Sequence, residues 1–156
     1  MGMNLFGPVI FIDDEEEVRL SGAQSLEIEG FEVIPLDSAK AALDYISVTW
    51  PGIIVTDVKM PFINGLELLH RTVAIDKDLP VVLITGHGDV SMAVDAMNAG
   101  AYDFIEKPAD MERLIDVVRR ASEKRNLILE NRALRMAHKP DSEIESARIS
   151  DGYKMV

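Results

Sequence analysis

Val9-Ile10-Phe11-Ile12-Asp13-Asp14 is an uninterrupted apolar run that stops on two carboxylates. The pattern returns in Ile53-Ile54-Val55-Thr56-Asp57 and again in Val81-Val82-Leu83-Ile84-Thr85. A strand with one wet face alternates apolar and polar residues. A run that is apolar throughout needs cover on both faces, as in a parallel sheet between two helix layers. Two weaker runs, 32–35 and 102–106, complete a set of five. Helical spacing fills the intervals at 15–29, 38–48, 65–75 and 90–99, and resumes from 110. Five strand–helix units with short links predict an open, doubly wound α/β fold on a five-stranded parallel sheet. Pro35 lacks a backbone N–H, which puts the second strand at an edge. Ser38 and Asp110 stand where helix N-caps are wanted, and Gly30 and Gly100 where helix ends turn left-handed.

Composition narrows the function. The chain has 156 residues, no cysteine, and 16 basic against 27 acidic side chains, for a net charge of −11. Disulfides, zinc–thiolate sites and cysteine nucleophiles are excluded. An acidic surface of this kind repels phosphate backbones and anionic lipid, so direct nucleic-acid and membrane binding are not expected. No apolar run reaches the roughly 20 residues of a membrane span, and the first residues lack a signal-peptide pattern. The expected location is the cytoplasm.

Ligands of open parallel sheets bind beyond the carboxyl ends of the strands. Those ends carry Asp13 and Asp14, Asp57, Thr85 and, after the fifth run, Lys107. Three carboxylates at one edge repel one another unless a cation lies among them. Oxygen donors without histidine or cysteine select Mg2+. Lys107 and Thr85 supply a charge and a donor for an anion at that metal. Together they describe a phosphoryl-transfer site with an aspartate as covalent acceptor. His70, His87 and His138 share no ligand spacing and read as structural or solvent-facing; Met92, Met97 and Met111 read as packing residues.

Four motifs in order carry a family resemblance: Phe11-Ile12-Asp13-Asp14-Glu15, Thr56-Asp57-Val58-Lys59-Met60-Pro61, Leu83-Ile84-Thr85-Gly86 and Asp103-Phe104-Ile105-Glu106-Lys107-Pro108. The chain resembles a response-regulator receiver domain of two-component signalling, over about residues 8 to 121. It is most like the receivers of sigma-54-dependent transcriptional activators of the C4-dicarboxylate-response type. The resemblance implies a flavodoxin-like sheet of order 2-1-3-4-5 and a phosphoacceptor at Asp57. It also implies Mg2+ held by Asp14 directly, by Asp13 largely through water, and by the Lys59 carbonyl. Lys107 and Thr85 would contact the phosphoryl oxygens, and Phe104 would be the aromatic that changes rotamer when Thr85 moves. A sensor histidine kinase is the implied donor. The turn Pro61-Phe62-Ile63-Asn64-Gly65 departs from the family's commoner Gly-Met-Asp there.

Beyond the receiver, expected at 1–121, a helical linker is read at 122–138 and a flexible tail at 139–156. Leu127, Asn131 and Leu134 fit heptad positions d, a and d, and an Asn at a specifies a two-stranded register, so a homodimer is expected. Lys124 at the preceding a position weakens the seam. The sequence has no Gly-Lys-Ser/Thr phosphate loop, so ATPase and DNA-binding output domains are absent from it. A receiver piece of a longer activator is the favoured expectation, and a stand-alone phosphotransfer receiver the alternative. A Mg2+-dependent aspartate-nucleophile phosphatase is less consistent, because Lys59 stands where that chemistry wants a second carboxylate. A flavodoxin-like cofactor binder lacks its phosphate loop after the first strand.

Overall fold

The computed structural model describes residues 6–86, 89–107 and 110–137. Its elements are β1 (Val9–Ile12), α1 (Glu16–Ile28), β2 (Val33–Leu36), α2 (Ala39–Leu43), β3 (Ile53–Asp57), α3 (Gly65–Ile75), β4 (Val81–Thr85), α4 (Val90–Asn98), β5 (Asp103–Glu106) and α5 (Met111–Ala137). All pairings are parallel, in the order β2-β1-β3-β4-β5. The expected fold class is the observed one.

The continuous apolar runs resolve into two cores. Along β1, Ile10 and Ile12 join one cluster with Ile54, Leu83, Leu68 and Leu69. Val9 and Phe11 join the other with Val55, Ile84, Ile105, Leu114 and Val118. β1, an inner strand of the sheet, feeds both layers alternately, which is why it has no polar position. Burying one such Val, Ile or Leu side chain contributes about 1.5–3 kcal/mol. β2 lies at the edge, Pro35 opposite Phe11, with no buried residue.

Several terminators act as expected. Ser38 Oγ accepts from the Ala41 N–H at 3.2 Å, and Asp110 Oδ1 accepts from Glu112 N–H at 3.1 Å. Gly30 and Gly100 adopt φ of 98° and 108°. Beyond them the N–H groups of Phe31 and Ala101 return to the carbonyls of Leu26 and Ala96, which closes both helices.

Two expectations need correction. α2 ends at Leu43 and does not run to residue 48. Ile46, Val48 and Thr49 are poor helix formers, and the Ser47 hydroxyl takes the Thr49 N–H at 3.3 Å, a local bond that competes with helix. Met97 is not a packing residue, being 41% exposed. On α4 it is Ala93 and Ala96 that face the core. Met92 and Met111 do pack against the two clusters. His70 is exposed, while His87, His138 and the 139–156 tail lie outside the described residues.

The chain forms two compact units, divided after Asn126. The first runs past residue 121 because Ser122 and Arg125 are buried within it. Of the second, residues 127–137 are described, all helical, with Leu127 64% and Leu134 52% exposed.

Candidate phosphoacceptor site

The carboxyl ends of four strands, β1, β3, β4 and β5, build the site. β3 delivers Asp57 as its last residue, paired in register with Ile84 and 5% exposed. β1 ends one residue before Asp13, whose N–H donates to the Leu36 carbonyl at 3.2 Å. Asp13 is 1% exposed, whereas Asp14 points to solvent. Asp13 Oδ1 accepts the Glu15 N–H at 2.9 Å, and Arg19 Nη1 holds the Asp13 carbonyl at 2.9 Å, which fixes the β1–α1 turn. Thr85 closes β4, 1% exposed, and its carbonyl accepts the Lys107 N–H at 2.8 Å. That bond sets the stem from which Lys107 Nζ reaches Asp57 Oδ2 at 2.9 Å. Gly65 lets α3 start close against β3, because a Cβ there would stand 2.6 Å from the Asp57 carbonyl.

The five expected side chains therefore occupy one sheet edge. Carboxylate oxygens of Asp13, Asp14 and Asp57 lie within 4.8 Å of one another. Asp13 Oδ2 is buried with no hydrogen-bond partner. A buried carboxylate oxygen without a hydrogen-bond partner, beside two other carboxylates, fits a hard divalent cation. Burial pushes the Asp13 carboxyl above its ordinary range; the Glu15 N–H opposes this and the Asp57 charge adds to it. For Lys107, burial alone lowers the pKa, but the hydrogen bond and charge of Asp57 outweigh it and the ammonium is stabilised. A cleft of about 430 Å³ opens beside the cluster between Asp14, Lys59, Met60, Asn64 and Met92.

The two shifts have opposite consequences. A carboxyl whose folded pKa exceeds its unfolded value opposes folding once pH rises above both, so Asp13 costs stability at neutral pH without metal. The Lys107 pair stabilises below the ordinary lysine value and is lost only as pH climbs through the raised one. Asp13→Asn keeps the Oδ1 acceptor and removes the charge. It is expected to stabilise the metal-free protein by about 1–3 kcal/mol, chiefly by removing a buried charge and further by removing its repulsion from Asp57. Melting curves with EDTA check the gain, and added Mg2+ should then raise the melting temperature less than in wild type.

The family comparison follows the same residues. A model of the response regulator receiver domain matches residues 9–119. The chain belongs to the response-regulator receiver family. The receiver is 50% identical over 129 residues to the C4-dicarboxylate transport transcriptional regulatory protein DctD of Pseudomonas aeruginosa, covering 83% of this chain and 28% of that one. It is 47% identical over 115 residues to the transcriptional regulatory protein FixJ of Rhizobium meliloti, covering 74% and 56%. Among solved structures, FixJ-N superposes with a TM-score of 0.68 at 46% identity, covering 75% of this chain and 94% of that one. NtrX from Brucella abortus gives 0.73 at 38% identity, covering 84% and 30%. The receiver thus spans under a third of the length of the DctD relative.

Several contacts around the site escaped the sequence reading. Asn64 caps α3, accepting the Glu67 N–H at 2.8 Å, and the Asn-x-x-Glu spacing was a readable signal. Lys59 Nζ lies 3.5 Å from Asp89 Oδ2, which joins the loops after β3 and β4. Phe62 stands fully exposed at a φ of 68°. Phe104 is partly buried against the first core, and Arg113 Nη2 donates to its carbonyl at 2.9 Å.

Proposed function

We propose that this receiver takes a phosphoryl group from the phosphohistidine of a sensor histidine kinase onto Asp57, with Mg2+ among the three carboxylates. The observation that carries the reading is Lys107 Nζ held 2.9 Å from Asp57 Oδ2, beside the buried and unpaired Asp13 Oδ2. An Asp57 carboxylate oxygen attacks phosphorus, the P–N bond to the donor imidazole breaks, and an acyl phosphate forms. When bound, Mg2+ would neutralise charge on the transferring oxygens, and Asp13, Asp14, Asp57 and the Lys59 carbonyl would hold it. Lys107 pairs with a phosphoryl oxygen as the product forms, and Thr85 donates to another. The added charge of about −1.5 to −2 draws Thr85 inward, Phe104 follows into the vacated space, and the α4–β5–α5 face changes. The protein is a regulatory phosphoacceptor that acts catalytically only on its own phosphorylation and dephosphorylation.

Incubation with acetyl phosphate tests this reading directly. Intact-mass measurement should show one phosphoryl adduct with Mg2+ and almost none with EDTA. Equal incorporation under both conditions would remove the metal from the account.

The output is proposed to be a transcriptional activator of the sigma-54-dependent kind, reached through residues 127–137. Leu127, Asn131 and Leu134 form the dimer seam of that linker. Half-exposed leucines at d positions on a single chain are the support for a second copy. A version ending at Asn126 should sediment as a monomer while the full chain dimerises. A dimer that survives the truncation would move the interface elsewhere. The cut is placed after Asn126 so that the buried Arg125 is kept. Among the described residues no helix is long and apolar enough to cross a membrane, in keeping with a cytoplasmic regulator.

A further inference from the structure

Two arginines hold α5 at separate heights. Arg113, in the first turn, donates through Nη2 to the Phe104 carbonyl at 2.9 Å and to Asp103 Oδ1 at 3.4 Å. Arg125 lies twelve residues on, about 18 Å along the axis. It is wholly buried and donates to Asp76 Oδ2 and the Trp50 carbonyl at 2.9 Å, and to the Val48 carbonyl at 3.3 Å.

The anchors differ in kind. The Arg113 side chain is half in water, where an ion pair forms and breaks at little cost. The Arg125–Asp76 pair is 0% and 4% exposed, and undoing it would leave a buried charge and two carbonyls without this donor. One anchor can yield; the other cannot. The yielding one grips the backbone of Phe104. The rigid one lies past residue 119, outside the stretch that matches the receiver model.

We propose that Arg125 and Asp76 form a fixed pivot of α5, and that Arg113 is the grip through which movement of β5 at Phe104 turns the helix about it. Residues 127–137 continue the same helix, so the pivot makes dimerisation answer to the state of β5. The proposal rests on the phosphoacceptor reading of Asp57. Both arginines are positioning residues and touch no reacting atom.

The test uses the 156-residue chain with Mg2+ and beryllofluoride, a phosphoryl mimic. Sedimentation gives the dimer dissociation constant with and without the mimic. Acetyl-phosphate labelling and thermal melting run alongside. Wild type should shift its dissociation constant by about tenfold or more, a usual size for coupling between sites. Arg113→Ala, a surface change, should cut the shift below about threefold with labelling within about twofold of wild type. Asp76→Leu with Arg125→Met, which removes both charges together, should do the same in a chain that still melts cooperatively. A full shift in Arg113→Ala would overturn the grip, and a full shift in the folded double variant would overturn the pivot. Wild type that labels normally yet shows no shift would overturn both. Wild type that takes no label would instead sink the phosphoacceptor reading beneath them.

Discussion

Asp57→Asn is expected to take up no phosphoryl group from acetyl phosphate and Mg2+, a fall of at least about a hundredfold, as loss of a nucleophile entails. The amide is a poor nucleophile and forms no stable phosphoryl adduct, whereas its oxygen can still accept from Lys107 Nζ, which now lies 2.9 Å from Asp57 Oδ2. The neighbouring Asp13 and Asp14 do not replace it. Lys107 Nζ is bonded to Asp57 Oδ2, and Asp14 is exposed. The fold is expected to survive, because one of three crowded carboxylates is removed without loss of shape. Intact mass after labelling, with melting as the control, reads the outcome. Undiminished incorporation in a folded Asp57→Asn would refute the acceptor assignment.

The largest effect on stability is expected away from the phosphoryl site, at Arg125→Met. Methionine replaces the aliphatic stem but leaves the buried Asp76 without the guanidinium 2.9 Å from its Oδ2. It also removes the donors to the Trp50 and Val48 carbonyls. Breaking a buried pair from one side costs about 3–5 kcal/mol, which lowers the melting temperature of a chain this size by roughly 10–20 °C. Adding Asp76→Leu should restore part of the loss, since no charge is then stranded, and the two carbonyls limit the recovery. A double-mutant cycle in urea measures the coupling. Additive single changes would mean that the pair contributes nothing beyond its separate packing.

The sequence was legible where one physical rule dominated. β1, β3 and β4 could be read from their runs because a parallel sheet under two helix layers keeps both faces apolar up to the carboxyl ends of the strands. Asp13, Asp14, Asp57, Thr85 and Lys107 could be placed at one edge because parallel strands end on the same side. The end of α2 could not be read from period alone, because the Ser47 hydroxyl and the β-branched residues after Leu43 favour a turn. Met97 was misjudged because α4 turns its alanines inward and leaves Val94 and Met97 outside. Arg125 was hidden for a different reason. Its spacing from Leu114, Val118 and Ala121 puts it on the buried stripe of α5. An arginine there is ordinarily taken to extend its charge to water. Only the fold brings Asp76, 49 positions earlier, within reach.

The identity of the phosphorylated residue is the claim on which the rest depends. It is measured by labelling wild type with acetyl phosphate and Mg2+, then mapping the adduct by peptide mass spectrometry. The expected result is a single site, Asp57, filled only when the divalent cation is present. A phosphoryl group found on any other residue, or on Asp57 without a metal, would contradict the account.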